Sequence, residues 1–185
     1  MNSKKLVFDA YHGTDYNAEK CITKYKKYKV SNKDNEWLGT GIYFFIDKDK
    51  QKAIENAYKW AVNFKHFKYY AVLRSLILVD EDKIINFNDE DWQEIYHKYR
   101  EGKINETINR GLTIETDRIK FDCQVINEMC KKFGILAIYQ QRYIDLLEKR
   151  GLPKSEIPNC TILCVRRNEL IDKSSIKVEE RGCSN

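Results

Sequence analysis

Two short segments carry the residue types that could do chemistry. The first, Tyr11-His12-Gly13-Thr14, follows an apolar run. A histidine at the end of a buried strand, followed by glycine, sets an imidazole beside a backbone turn, and the glycine lets a flat ligand approach the chain closely. The second is Trp37-Leu38-Gly39-Thr40-Gly41-Ile42-Tyr43-Phe44-Phe45. Its glycines allow a tight bend into a β-favouring run, which puts Tyr43 near the start of a strand. A third segment, residues 20–33, places Lys20, Lys24, Lys26, Lys27, Lys29 and Lys33 around Tyr25 and Tyr28. Its lysines could meet phosphates while its tyrosines stack on bases, although the same composition also suits a solvated helix and loop face.

These groups need elements to hold them. Residues 6–11 read as a first strand. Residues 17–27 read as a short helix capped by Asp15. Ile42–Ile46 reads as a second strand, and Asp47 as the cap of a helix over 48–65, with Ala53, Ile54, Ala57, Trp60, Ala61 and Phe64 at helical spacing. Residues 69–79 and 84–87 are strand candidates. Helices are expected over 89–103, through Trp92, Ile95, Tyr96 and Tyr99, and over 121–133, ended by Gly134. A strand at 135–139, a short helix at 144–150 and a strong strand at 160–166 follow, with an edge strand at 176–178. Strands and helices without βαβ regularity point to an α+β fold.

The chain has 185 residues, a length that suits one domain over 1–185. It is 42% hydrophobic and 33% charged, with twelve Tyr and eight Phe, which argues against extensive disorder. No run approaches a membrane span and no signal peptide is expected, so the expectation is a cytoplasmic protein with no membrane partner. The six cysteines form no C-x-x-C pair, and none of the three histidines stands at metal-ligand spacing beside them, so no metal is expected and the thiols should be free. The net charge of +5 is mild.

Taken together, Tyr11-His12-Gly13-Thr14 and Gly39-Thr40-Gly41-Ile42-Tyr43-Phe44 resemble the nicotinamide-binding half of the ADP-ribosyltransferase superfamily, in its His-Tyr-(Glu) branch of poly(ADP-ribose) polymerases and diphtheria-type toxins. The motif-level resemblance covers residues 8–61. It implies two small packed β-sheets flanked by helices, NAD as cosubstrate, and contacts to NAD from His12, Gly13, Thr14, Gly41, Tyr43 and Tyr58. His12 would bind one of the two riboses, Gly13 the carboxamide, and Tyr43 one face of the nicotinamide. The opposite face would be covered by Tyr58, preferred for its offset, or by Trp60.

The family's third position is usually a Glu at the start of a late strand. Here that strand is 160–166, preceded by Ser155-Glu156-Ile157-Pro158-Asn159, so the candidates are Asn159 and Glu156; Asp122 and Asp145 lie on expected helices without motif support. A neutral Asn argues against polymer synthesis more than against transfer. The resemblance therefore implies a mono-ADP-ribosyltransferase acting on a protein or nucleic acid. A small enzyme of this type suggests a bacterial or phage toxin or defence factor with an antitoxin or immunity partner. An NAD glycohydrolase on the same scaffold and a catalytically inactive binding module are the alternatives.

Overall fold

The computed structural model describes residues 3–146 and 155–184. Its elements are β1 (Lys5–Asp15), α1 (Tyr16–Tyr25), β2 (Ile42–Ile46), α2 (Lys50–Lys59), β3 (Tyr69–Asp80), β4 (Ile84–Asn86), α3 (Glu90–Asn109), α4 (Arg118–Phe133), β5 (Ala137–Arg142), β6 (Cys160–Val165) and β7 (Lys177–Cys183). This is the expected α+β class. The expected two sheets are instead one seven-stranded mixed sheet, ordered β4-β5-β6-β2-β1-β3-β7. Only β4 and β5 run parallel. The sheet is nearly two, however: its halves meet through the single register pair Tyr11↔Phe45 between β1 and β2.

Period-two alternation sorts the strand side chains onto two cores. On one face Tyr11, Phe45, Cys160, Ile162 and Cys164 pack under α2 (Ala53, Ile54, Ala57) and α4 (Ile126, Met129, Cys130). On the other, Ile42, Phe44, Leu73, Ile77, Leu163 and Val165 pack under Ile22 of α1, Tyr28, Ile171 and Ile176. Helix α3 packs on α4 and buries no residue fully. Among the described residues no helix is long and apolar enough to cross a membrane, and all six cysteines are free, four of them buried.

Local capping follows the sequence closely. The Asp15 carboxylate accepts from the amides of Asn17 and Ala18, and Gly134 ends α4 with φ +67°. Three expectations are corrected. The first strand does not stop at residue 11: β3 offers partners as far as Asp15↔Tyr70, so His12, Gly13 and Thr14 lie inside β1 rather than on a turn. The cap of α2 is Asp49, not Asp47, and the α-helix gives way at Lys59 to a π-helical turn, Trp60–Phe64. Residues 144–146 are not helical, and the rest of the expected helix at 144–150 lies outside the described residues.

Gly13 is fixed by packing. A Cβ there would lie 1.9 Å from the carbonyl oxygen of Ala57 on α2, so only glycine lets that helix sit on β1. Gly102, in α3, has nothing within 4 Å of the same added atom. Gly13→Ala is expected to cost about 1–3 kcal/mol through overpacking, whereas Gly102→Ala should stabilise by up to about 1 kcal/mol through helix propensity. Opposite shifts in thermal melting check this; equal melting of the two variants would contradict the close approach of α2.

Candidate active site

Strands β1 and β2 run side by side but are committed to other neighbours. β1 pairs with β3 along its whole length, and β2 pairs with β6 from Ile42↔Val165 to Ile46↔Thr161. Beyond Tyr11↔Phe45 they have no register with each other, so the backbone groups of β1 that alternate away from β3 face a gap. A cleft of about 420 Å³ opens there, within the roughly 300–1,000 Å³ usual for small-molecule sites. His12 and Gly13 of β1 line it, together with Gly41, Ile42, Tyr43, Phe44 and Phe45 of the facing segment.

His12 is held across this gap. Its Nδ1 lies 2.7 Å from the carbonyl oxygen of Tyr43. A carbonyl can only accept, so Nδ1 carries the proton, and the neutral ring keeps Nε2 as an acceptor. The edge of the ring meets Tyr28, with centroids 5.2 Å apart, and a tilted Phe44 at 5.7 Å. Burial pushes the His12 pKa below 6.5, against a smaller opposing effect of the bond to Tyr43. The site therefore presents a neutral, oriented imidazole.

Tyr43 anchors the loop that precedes β2. Its hydroxyl donates to the Gly39 carbonyl at 2.6 Å and accepts from the Leu38 amide at 2.9 Å, and burial drives its pKa far above the usual value. Behind this loop Arg166 donates to the carbonyls of Leu38 (2.8 Å) and Thr40, and to Asn127 Oδ1 (2.6 Å). Asn127 Oδ1 also accepts from the Thr40 amide. Gly39, at φ +74°, leaves no space for a Cβ beside Asn127 and Arg166. Ser31 and Gly41 exchange both backbone hydrogen bonds, at 2.8 and 2.9 Å, which closes the loop on itself.

The far wall is aromatic. The π-helical turn, closed by the Lys65 amide on the Trp60 carbonyl at 2.9 Å, sets the Trp60 and Phe64 rings parallel with centroids 4.3 Å apart. π-Turns of this kind recur at functional sites. Trp37 and Phe45 meet Trp60 edge-on. Lys65 Nζ stands 4.8 Å from the Trp60 ring centroid and 5.5 Å from that of Phe64, so the stack already has a cation beside it. Burial first, and then Lys33, lower the Lys65 pKa, while Glu36 opposes them. Lys29 and Lys33 complete a basic rim. Among the described residues no group of three or more His, Cys, Asp or Glu is arranged to hold a metal ion.

Of the residues singled out from sequence, His12, Gly13, Gly41 and Tyr43 meet at the cleft. Thr14 is buried within β1 and does not line it. Tyr58 points elsewhere, packing edge-on against Tyr70 at 5.0 Å, whereas Trp60, two residues on, supplies the cleft aromatic. Asn159 is consumed by the chain: its side-chain amide brackets Ile144, donating to the carbonyl at 2.8 Å and accepting from the amide at 3.0 Å. Glu156 is exposed in a polar depression with Arg118 and Arg142, outside the cleft. The residue of β6 that lines the cleft is Ile162.

Tyr28 is only 2% exposed and is clamped by Asn168 through its own backbone, so it cannot stack on a base; Tyr25, 66% exposed, could. The residues that sequence reasoning missed are Ser31, Glu36, Trp37, Phe64 and Lys65. Only Phe64 and Trp37 carried a signal, by their place on a helical stripe and at the head of the Gly-rich motif.

No family model matches the chain. It is similar to an uncharacterized protein of Methanocaldococcus jannaschii, 27% identical over 142 residues, which is 74% of this chain and 57% of that protein. The chain thus spans little more than half the length of that relative.

Because the folded pKa of His12 is lowered, the unfolded chain binds the extra proton first. The neutral His12 therefore supports folding above about pH 6.5, and this contribution declines as pH falls from there to the folded pKa. NMR should find His12 as the Nδ1-protonated tautomer, titrating below the ordinary imidazole. The acid-side loss of stability should be shallower in His12→Gln. A His12 that titrates at or above 6.5 would contradict its burial as the dominant influence on the ring.

Proposed function

We propose that the protein is an NAD-dependent mono-ADP-ribosyltransferase, cleaving the nicotinamide–ribose bond and passing one ADP-ribose unit to a macromolecule. The observation that carries this reading is the pairing of His12 with Tyr43 across the gap between β1 and β2, at the mouth of an aromatic cleft. The same two residues carry the sequence resemblance, and the fold brings them together.

On this reading the nicotinamide, a flat cation, enters between Tyr43 and the Trp60–Phe64 stack, displacing Lys65 from beside it. Trp60 replaces Tyr58 as the second aromatic. The Nε2 of His12 accepts from a ribose hydroxyl, and the free backbone edge of β1 beside Gly13 meets the carboxamide. Lys29, Lys33 and Lys65 supply positive charge for the pyrophosphate. Holding the dinucleotide this way orients C1′ toward the open side of the cleft.

Chain growth would require an acid to activate a hydroxyl of a bound ADP-ribose. The polymerases this chain resembles carry that acid on the strand that corresponds to β6, where the cleft-lining residue here is Ile162. The expected product is therefore a single unit.

Incubation with labelled NAD and cell lysate, followed by protease or nuclease digestion, tests the reading. A discrete labelled product is expected; polymer ladders would refute single-unit transfer, and free ADP-ribose alone would make water the acceptor. Trp60→Ala should cut turnover about a hundredfold or more, equivalent to about 2.7 kcal/mol. Tyr43→Phe keeps the ring but loses the anchor to Gly39 and Leu38, so it should lose less activity than Tyr43→Ala. Normal turnover in Trp60→Ala would remove the aromatic box from the mechanism.

A further inference from the structure

The single carboxylate that lines the cleft among the described residues lies in neither sequence motif: it is Glu36, in the loop between α1 and β2. Its place is well determined. The Ser31 hydroxyl donates to its Oε1, and Ser31 is itself locked to Gly41 by the two backbone bonds. The Glu36 carbonyl accepts from the Gly39 amide at 3.3 Å, and the Gly39 carbonyl accepts from the Tyr43 hydroxyl. A short chain of hydrogen bonds thus fixes the acid relative to the ring of Tyr43. It is half-buried beside Lys65, and its charge is felt at both Lys65 and Tyr43. Ser31 occupies one of about four acceptor positions on the carboxylate. The others are free to meet a ligand.

Resting on the transferase reading, we infer that Glu36 is a catalytic residue that meets the reacting ribose, doing from the loop what no side chain of β6 can do. As the C1′–nitrogen bond breaks, its electron pair returns to the nicotinamide ring, which leaves neutral, and C1′ becomes electron-poor. The Glu36 carboxylate faces that developing charge. The acceptor's lone pair then forms the new bond to C1′, and the proton the acceptor sheds passes to Glu36. The lysines beside Glu36 do not cancel this role, because the two negative charges of the pyrophosphate engage them when NAD is bound. One acid so placed can serve one transfer.

Glu36→Gln keeps an acceptor for Ser31 and removes the charge, so it separates chemistry from bracing. Turnover of NAD should fall about a hundredfold or more, while NAD affinity, read by quenching of Trp37 and Trp60 fluorescence, stays within about threefold. Ser31→Ala, which frees the carboxylate without discharging it, should lose less. If Glu36→Gln does not fold, Glu36→Ala supplemented with formate serves instead, and recovery of rate by formate is expected. Wild-type turnover in Glu36→Gln, a parallel loss of affinity and rate, or no rescue by formate would each overturn the role of Glu36. Absence of NAD binding and turnover by the wild-type protein would overturn the transferase reading itself, and Glu36 with it.

Discussion

Everything in this molecule follows from the divergence of β1 and β2. Each strand has a better offer elsewhere: β1 from β3 over eleven register pairs, and β2 from β6 over five, against one between themselves. Continuing the pairing would have closed the sheet and buried His12, Gly13 and Tyr43 in a ladder. Stopping it leaves backbone edges and side chains from both strands facing a gap. A gap in a sheet costs hydrogen bonds. The bond from His12 to the Tyr43 carbonyl restores one of them while leaving the rest for a ligand.

The gap needs a rigid lip, and the loop before β2 provides it by polar contacts around the buried Leu38. Arg166, Asn127, Tyr43, Ser31 and the Glu36 carbonyl together satisfy the carbonyls and amides of residues 38–41. Close approach is possible only because positions 39 and 41 have no side chain; at Gly41 a Cβ would meet the Cys164 sulfur at 2.3 Å. Burial holds the Cys164 thiol up to about 12, so it stays a neutral packing group under the loop. Such a lip is preorganised: its geometry is set before any ligand arrives.

The opposite wall is built on a different principle. One π-turn at the end of α2 widens the helix, stacks Trp60 on Phe64 and brings Lys65 beside the pair. Aromatic faces, three lysines and one carboxylate then line a single concavity. On the transferase reading these match the flat cation, the pyrophosphate and the reacting carbon of one dinucleotide.

The sequence by itself determined the α+β class, most element positions, the caps at Asp15 and Gly134, and the motif residues His12, Gly13, Gly41 and Tyr43. These are local matters: periodicity, capping chemistry and glycine requirements act over a few residues. The tertiary structure alone decided which side chains share the cleft. Tyr58 was drawn to Tyr70 of β3, and an unforeseen π-turn stacked Phe64 on Trp60 at the cleft wall. Asn159 was drawn away by a backbone partner fifteen residues distant, and Tyr28 by Asn168, far along the chain. Glu36 entered the cleft because Ser31 and Gly41 close a loop whose shape no spacing rule encodes. Contacts between residues remote in sequence depend on how strands choose their neighbours, and that choice is settled by the whole sheet at once.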